Sequence, residues 1–343
     1  MGENSYIPFS NTMIIAEIGL SHDGSLGNAI NLAIESIKNG ADIIKFQVHY
    51  PEEESSVNEK FRINFSYQDK SRWEYWKRTS FNFNQWKIIK TEVEKSGGIF
   101  GASVFSSYAL NMMLDLNIKV LKLGSGDIAN EELLDELSSF NETLILSTGM
   151  SSMAEISHAV NWLNSSLCNT NSAILQCTSL YPTPFEKVGL NIMLEIIRKF
   201  GIKSGLSDHS QGISASIAAA TLGASYIEKH VVYSKNMFGP DATSSIEFHE
   251  LRMLRQYIDD LRKLSTLVDK DFEISHLNDM RITFGRSLAL KKSMKKGTVP
   301  QIKDFCLRKP AGGLKWQNRF DFEGLPLKSD YTIGEILTLE HFK

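Results

Sequence analysis

The sequence predicts a (β/α)₈ barrel followed by a small, mostly β domain, and three observations carry that expectation. Short apolar runs suited to buried parallel strands alternate with longer segments of helical period. Eight such units follow one another within about 260 residues, close to the roughly 250 that a closed barrel takes. Beyond Lys270 the alternation stops, leaving a short tail of a different pattern in a chain of 343 residues. A doubly wound open sheet is the competing architecture for any βα repeat, and eight consecutive units favour closure.

The strand candidates, in order, are MIIAEIG (13–19), DIIKFQ (42–47), IFGASVF (99–105), VLKLGS (120–125), LILSTG (144–149), AILQCTS (173–179), KSGLSDH (203–209) and YIEKHV (226–231). Helical periodicity predicts helices over 26–38, 85–95, 130–138, 152–164, 191–200 and 213–222, with a long one over about 247–267. Asn39-Gly40, Gly97-Gly98 and Gly223 stand just before strands, as left-handed helix ends require. The domains are expected at 1–267 for the barrel, 268–281 for a polar linker and 282–343 for the tail. In the tail RSLALKKSMKKGTVP reads as short strands and turns, PAGGL as an irregular loop, and TIGEILTLEHF as a turn and short helix.

With 42% hydrophobic and 22% charged residues the chain has the composition of a globular protein able to bury a large core. A net charge of -3 supplies no long-range field for nucleic acid or anionic lipid, so an anionic substrate must be held by local groups. Cys168, Cys177 and Cys306 are too few and too scattered for a disulfide framework or a zinc site, which points to a reducing, cytoplasmic setting. The start, MGENSYIPFSNTM, lacks the basic and apolar regions of a signal peptide, and no apolar run reaches about 18 residues. It matches MGxxx[ST] only superficially, and Pro8 argues against lipidation.

Polar residues interrupt the strands near their C-terminal ends, the face on which barrel enzymes build active sites. They are Glu17, Lys45, Gln47, Ser103, Lys122, Ser125, Ser147, Thr178, Ser207, Asp208, His209, Glu228, Lys229 and His230, expected to share one mouth. Phosphate needs positive charge and several donors, and Lys45 and Lys122 with Ser103, Ser125, Ser147 and Ser207 would form such a cradle. Singly, each serine reads as a helix cap and each lysine as a solvated side chain; spread over five strands, the set favours a site. His209 and His230, on adjacent strands, offer two imidazoles to one divalent ion. Two protein ligands suit an exchangeable octahedral ion such as Mn²⁺ better than a closed structural zinc. The other histidines, including His22 and His49, are not assignable on spacing.

The strings IIAEIGLSHDGSLGNA, DIIKFQ, KLGSGD, LILSTGMS, LQCTSLYPTP, GLSDHSQGI, GASYIEKHVV and GPDATSSIE, in this order, make the chain resemble the N-acylneuraminate (sialic acid) synthase family over nearly its whole length. The resemblance implies a barrel that condenses phosphoenolpyruvate with an N-acylated aldose, such as N-acetylmannosamine, and water, releasing phosphate. It implies a legionaminic- or pseudaminic-type product as the alternative. It also implies a C-terminal domain similar to type III antifreeze proteins. By position, His209 and His230 are the implied ligands of Mn²⁺, with Mg²⁺ or Co²⁺ as alternatives. Lys45, Ser103, Lys122, Ser125, Ser147 and Ser207 are the implied phosphoenolpyruvate contacts. Glu17, Gln47, Asp127, Tyr181 and Asp241 face the sugar or the reacting centre, with Glu17 and Asp127 grouped with the two histidines as catalytic. In a domain-swapped homodimer, Lys309 of CLRKPAGGL, or Arg308, would reach the partner's site.

The chain departs from the family at Asp127, where many bacterial relatives carry Glu, and at Val104, where Pro is frequent. The segment 50–84, with Trp73, Tyr75 and Trp76, is long for a βα connection and should lie over the mouth, its rings packing the lid down or stacking on a sugar. The rival readings are a Schiff-base aldolase on Lys122 or Lys229, a metal-dependent hydrolase, and a sugar- or ice-binding module built on the tail.

Overall fold

The computed structural model describes residues 12–61, 63–166 and 172–342. The N-terminal string and Cys168 lie outside them. Eight strands form the barrel: β1 (Met13–Gly19), β2 (Ile43–Val48), β3 (Ile99–Val104), β4 (Val120–Leu123), β5 (Thr143–Ser147), β6 (Ala173–Cys177), β7 (Lys203–Asp208) and β8 (Tyr226–Val232). Each pairs in parallel with the next, and β1 pairs with β8 from Met13↔Tyr226 to Glu17↔His230, which closes the sheet. A two-residue strand, Ile246–Glu247, extends β8 in parallel. The closed barrel thus replaces the open-sheet alternative.

The helices follow from local chemistry. Ser25 accepts from the Asn28 N–H to start Leu26–Lys38, while Asn82 with Gln85 and Ser152 with Glu155 form capping boxes before Phe83–Lys95 and Met153–Ser165. The helices Arg72–Thr79 and Ser107–Asp115 were not anticipated; Ser71 caps the first by accepting from the Glu74 N–H, and Ser106 the second by accepting from the Ala109 N–H. Gly40 has φ +99°, and an added Cβ there would meet the Arg255 side chain at 2.4 Å. That contact brings the long helix Phe248–Leu264 against the end of the first one.

Alternation along the strands sorts their side chains into two cores. Ile14, Ala16, Ile44, Phe46, Leu121, Leu144 and Leu206 join the helices in the outer core. Ile15, Ile43, Val120, Ile145, Ala173, Leu175 and Tyr226 form a separate apolar layer filling the barrel's N-terminal half. Each fully buried aliphatic side chain contributes about 2 kcal/mol of transfer free energy, so this layer is a packed floor.

The chain divides into compact units Met1–Ser265 and Thr266–Lys343. In the second, Ser287–Leu290 pairs antiparallel with Phe305–Arg308, and Leu288, Leu290, Phe305, Phe322, Leu327, Tyr331 and Leu337 pack a small core. Tyr331 Oη accepts from the Leu290 N–H at 2.9 Å and donates to the Glu335 carbonyl at 2.6 Å. The stretch read as linker carries two short helices, Lys270–Ser275 and Asn278–Phe284, because Asp269 accepts from the Asp271 and Phe272 N–H groups and starts the first.

Candidate active site

Above the apolar floor the inward positions turn ionic. The register sets Glu17 beside Lys45 and His230, and Ser207 beside Glu228. Lys45 Nζ contacts the Glu17 carboxylate, donates to Ser103 Oγ at 2.7 Å and lies 3.8 Å from Glu228 Oε2. Lys122 Nζ lies 2.5 Å from Glu228 Oε1, which also accepts from Ser207 Oγ at 3.1 Å. Two lysines and two glutamates therefore form a buried ionic layer. Burial pushes the Glu17 carboxyl up to about 7 against the pull of Lys45. Burial acts on Glu228 in the same direction, but Lys122 and Lys45 outweigh it and hold that carboxyl down at about 2. Carboxyls split in this way are suited to different proton roles.

Ser147 Oγ is buried without a hydrogen-bond partner. Ser125 lies just past β4, where the chain turns with Asp127 N–H donating to the Gly124 carbonyl, and its Oγ accepts from the Gly149 N–H at 2.9 Å. An added Cβ on Gly149 would stand 2.7 Å from that oxygen, so glycine permits the close approach of the loops after β4 and β5. These are the hydroxyls expected in a phosphate cradle.

The two imidazoles stand at the rim, their ring centres 5.5 Å apart, with the Tyr181 ring 4.1 Å from His209. Burial, helped by Lys122, lowers His209 to about 4; burial and the neighbouring His209 lower His230 well below its ordinary value. Both are therefore neutral near pH 7, as metal ligation requires. His209 Nδ1 lies 3.3 Å from the Thr178 carbonyl, so this nitrogen carries the proton and Nε2 keeps its lone pair. His230 Nδ1 is buried without a hydrogen bond, and Asp241 Oδ2 stands 4.0 Å away. Among the described residues no group of three or more His, Cys, Asp or Glu is arranged to hold an ion. The two neutral imidazoles fit the donor chemistry of a divalent ion.

Asp127 is half-buried in its loop, 3.3 Å from Asn130 Nδ2, and burial raises its carboxyl. Gln47 is half-buried at the end of β2. Arg308 and Lys309 belong to the second unit, where they line a basic cleft of about 510 Å³ with Arg286 and Lys291.

Three expected mouth residues are elsewhere. Lys229 alternates with Glu228 and His230 and so points outward, where it is fully buried, 3.2 Å from Asp208 Oδ2 and bonded to the Ser210 carbonyl. Asp208 also accepts from Ser210 and Ser216 at 2.6 Å each. Thr178 turns its hydroxyl to the Lys187 carbonyl at 2.7 Å. Of the aromatics in the 50–84 segment, Tyr75 and Trp76 are 2% and 9% exposed and cluster with Leu20, Phe61 and Phe65, whereas Trp73 is half-buried under Lys77, whose Nζ stands 4.6 Å from its ring centre. The structure in turn gives Glu228 a central place; its spacing of two from His230 on one strand is the signal that identifies it.

Residues 30–270 match the NeuB family. The chain is 32% identical to an N,N'-diacetyllegionaminic acid synthase of Campylobacter jejuni over 95% of this chain and 98% of that one. It is 32% identical to a pseudaminic acid synthase of Helicobacter pylori, over 88% and 89%, and 34% identical to the human N-acetylneuraminate-9-phosphate synthase, over 70% and 67%. A crystal structure of the N-acetylneuraminic acid (sialic acid) synthetase of Leptospira borgpetersenii in complex with citrate superposes with a TM-score of 0.68 at 29% identity, covering 80% of this chain and 93% of that one. With residues 30–270 matched by the family model and the similarity to the Campylobacter jejuni synthase running over 95% of its length, this chain belongs to the NeuB family.

Proposed function

We propose that the chain condenses phosphoenolpyruvate with an acylamino aldose and water, releasing phosphate and a nonulosonic acid. The observation that carries this reading is the buried Lys45 and Lys122 pair, backed by Ser103, Ser147 and Ser207, directly beneath two neutral imidazoles. The acceptor is N-acetylmannosamine or a 6-deoxy diacetamido sugar giving a legionaminic- or pseudaminic-type acid. The relatives that this chain matches nearly end to end support testing the second group equally.

His209 and His230 would hold the divalent ion, Mn²⁺ with Mg²⁺ or Co²⁺ as alternatives, which when bound supplies Lewis-acid polarisation of a carbonyl oxygen. Lys45, Lys122 and the serines, Ser125 included, hold the phosphate and aim C3 of the enol at the sugar aldehyde carbon. A carbon–carbon bond forms there, the aldehyde oxygen takes up a proton, and the former enol carbon gains positive character. Glu17, fully buried beside Lys45, stabilises that centre and orients the water that adds to it. The water loses one proton as it adds; the bond from that carbon to the phosphate oxygen then breaks, the remaining hydroxyl proton passes to the departing phosphate, and a ketone is left behind. Gln47, Asp127, Tyr181 and Asp241 hold the sugar's hydroxyl and acylamino groups.

Unpaired Cys177 and Cys306 support a cytoplasmic setting. The second unit is read as an antifreeze-like cap whose Lys309 or Arg308 serves the partner in a homodimer. The deciding experiment is phosphate release with Mn²⁺, phosphoenolpyruvate and a panel of acylamino hexoses. Release that depends on both one acceptor and the ion supports the reading, and no release with any acceptor overturns it.

A further inference from the structure

We propose that His49 is a positioning residue that orients the Gln47 amide toward the acceptor sugar, with Glu54 fixing the imidazole. The assignment rests on the reading above, in which Gln47 faces the sugar. His49 lies one residue past β2, on the same side of the chain as Gln47. Its Nδ1 is 2.6 Å from Glu54 Oε1, and Glu54 Oε2 accepts from the Tyr50 N–H at 3.0 Å, so the carboxylate is held at both oxygens. The imidazole lies between two parallel rings, Trp76 at 4.5 Å and 14° and Phe105 at 4.5 Å and 3°. The His49 and Glu54 side chains are only 5% and 4% exposed.

Turning the imidazole out of its plane would cost both stacking contacts, and flipping it within that plane would cost the Glu54 contact. Nε2 therefore keeps one direction, and it stands 3.4 Å from Gln47 Oε1. A half-buried glutamine otherwise samples several rotamers and presents either edge of its amide, donor or acceptor. A neighbour with a fixed nitrogen selects one rotamer and one edge. The sugar offers hydroxyls and an acylamino group, so the edge presented decides which sugar atoms Gln47 can bond. The competing account is that His49 only pins the 50–84 segment to the barrel through the three-ring stack. The two accounts differ in what they ask of the nitrogens.

His49→Phe keeps the stack and removes both nitrogens. In phosphate-release kinetics on the full-length, Mn²⁺-supplemented enzyme, His49→Phe is expected to raise the acceptor KM about tenfold and to leave the phosphoenolpyruvate KM within about twofold. In a Gln47→Ala background the same change is expected to add less than about twofold, because its effect runs through Gln47. Glu54→Gln, which leaves the stack untouched, is expected to raise the acceptor KM in the same direction. An unmoved acceptor KM in His49→Phe, an equal rise in both KM values, or full multiplication on the Gln47→Ala background overturns the assignment. No change in Glu54→Gln overturns the part given to Glu54. A wild type that turns over no acceptor overturns the synthase reading and this assignment with it, whereas a wild type that works, with an unmoved His49→Phe, overturns this assignment alone.

Discussion

Lys122 Nζ and Glu228 Oε1 stand 2.5 Å apart inside the barrel, on strands that are not neighbours, with Ser207 bonded to the same carboxylate oxygen. Glu228 is thus an anion shared by two buried lysines, 2.5 Å from Lys122 and 3.8 Å from Lys45. Glu228→Gln leaves that layer with an uncompensated positive charge. Unfolding in urea should show a loss of about 3–5 kcal/mol, the cost of breaking a buried pair from one side. Lys122→Met combined with Glu228→Leu should recover most of that stability and still release no phosphate. A Glu228→Gln protein as stable as the wild type would show that the layer is not held by charge.

The rim histidines should separate activity from fold. Chelation of the wild type should stop phosphate release and added Mn²⁺ should restore it. His209→Ala should show no ion-dependent release at any Mn²⁺ concentration, yet keep its urea midpoint, since its Nδ1 makes only the 3.3 Å bond to Thr178 and a 3.8 Å contact with Cys177. Normal turnover in that variant would end the ligand assignment.

Lys229 distinguishes condensation from Schiff-base chemistry. It sits outside the barrel wall against Asp208, so Lys229→Met should cost stability, about 3–5 kcal/mol by the same buried-pair argument, with the loss read in thermal unfolding. Borohydride added during turnover should label neither Lys229 nor Lys122. A covalently trapped lysine would favour the aldolase reading.

His22 sets a pH dependence of stability. It is buried beside Phe81, ring centres 4.7 Å apart, and its Nδ1 accepts from the Gly24 N–H at 3.1 Å. Burial, with the neighbouring His49 adding to it, lowers it from 6.5 to about 3. Between those values the unfolded chain binds a proton that the folded chain refuses, so stability rises with pH across the window and falls as pH drops below 6.5. The slope from this group is about 1.4 kcal/mol per pH unit. His209 and His230 act in the same sense, so the comparison that isolates His22 is His22→Phe, whose stability should fall less steeply between pH 6.5 and 4. Equal slopes would place the titration elsewhere.

Most of this was legible along the chain where it depends on neighbours in sequence. Strand β1 and the helix Leu26–Lys38 begin and end where periodicity and the glycine before β2 predict. Strand ends were less legible: Ser125, Thr178 and His209 fall just beyond β4, β6 and β7, because side-chain bonds such as Ser125 Oγ to the Gly149 N–H take over where the ladder stops. The helix Ser107–Asp115 was hidden because it follows its strand with only Phe105 and the capping Ser106 between.

By itself the sequence determined that eight βα units close a barrel and that lysine, serine and histidine collect at its C-terminal end, since period and strand position are local properties. What each side chain meets was decided only by closure. Adjacent residues on β8 part company there: Glu228 and His230 enter the site while Lys229 turns to Asp208 on the outer face. The same holds for His49, featureless by spacing, which gains a fixed direction only when Glu54 and Trp76 of the 50–84 segment and Phe105 just beyond β3 fold around it. An imidazole's orientation is set by its surroundings, and the two rings that flank this one, Trp76 and Phe105, come from residues far along the chain.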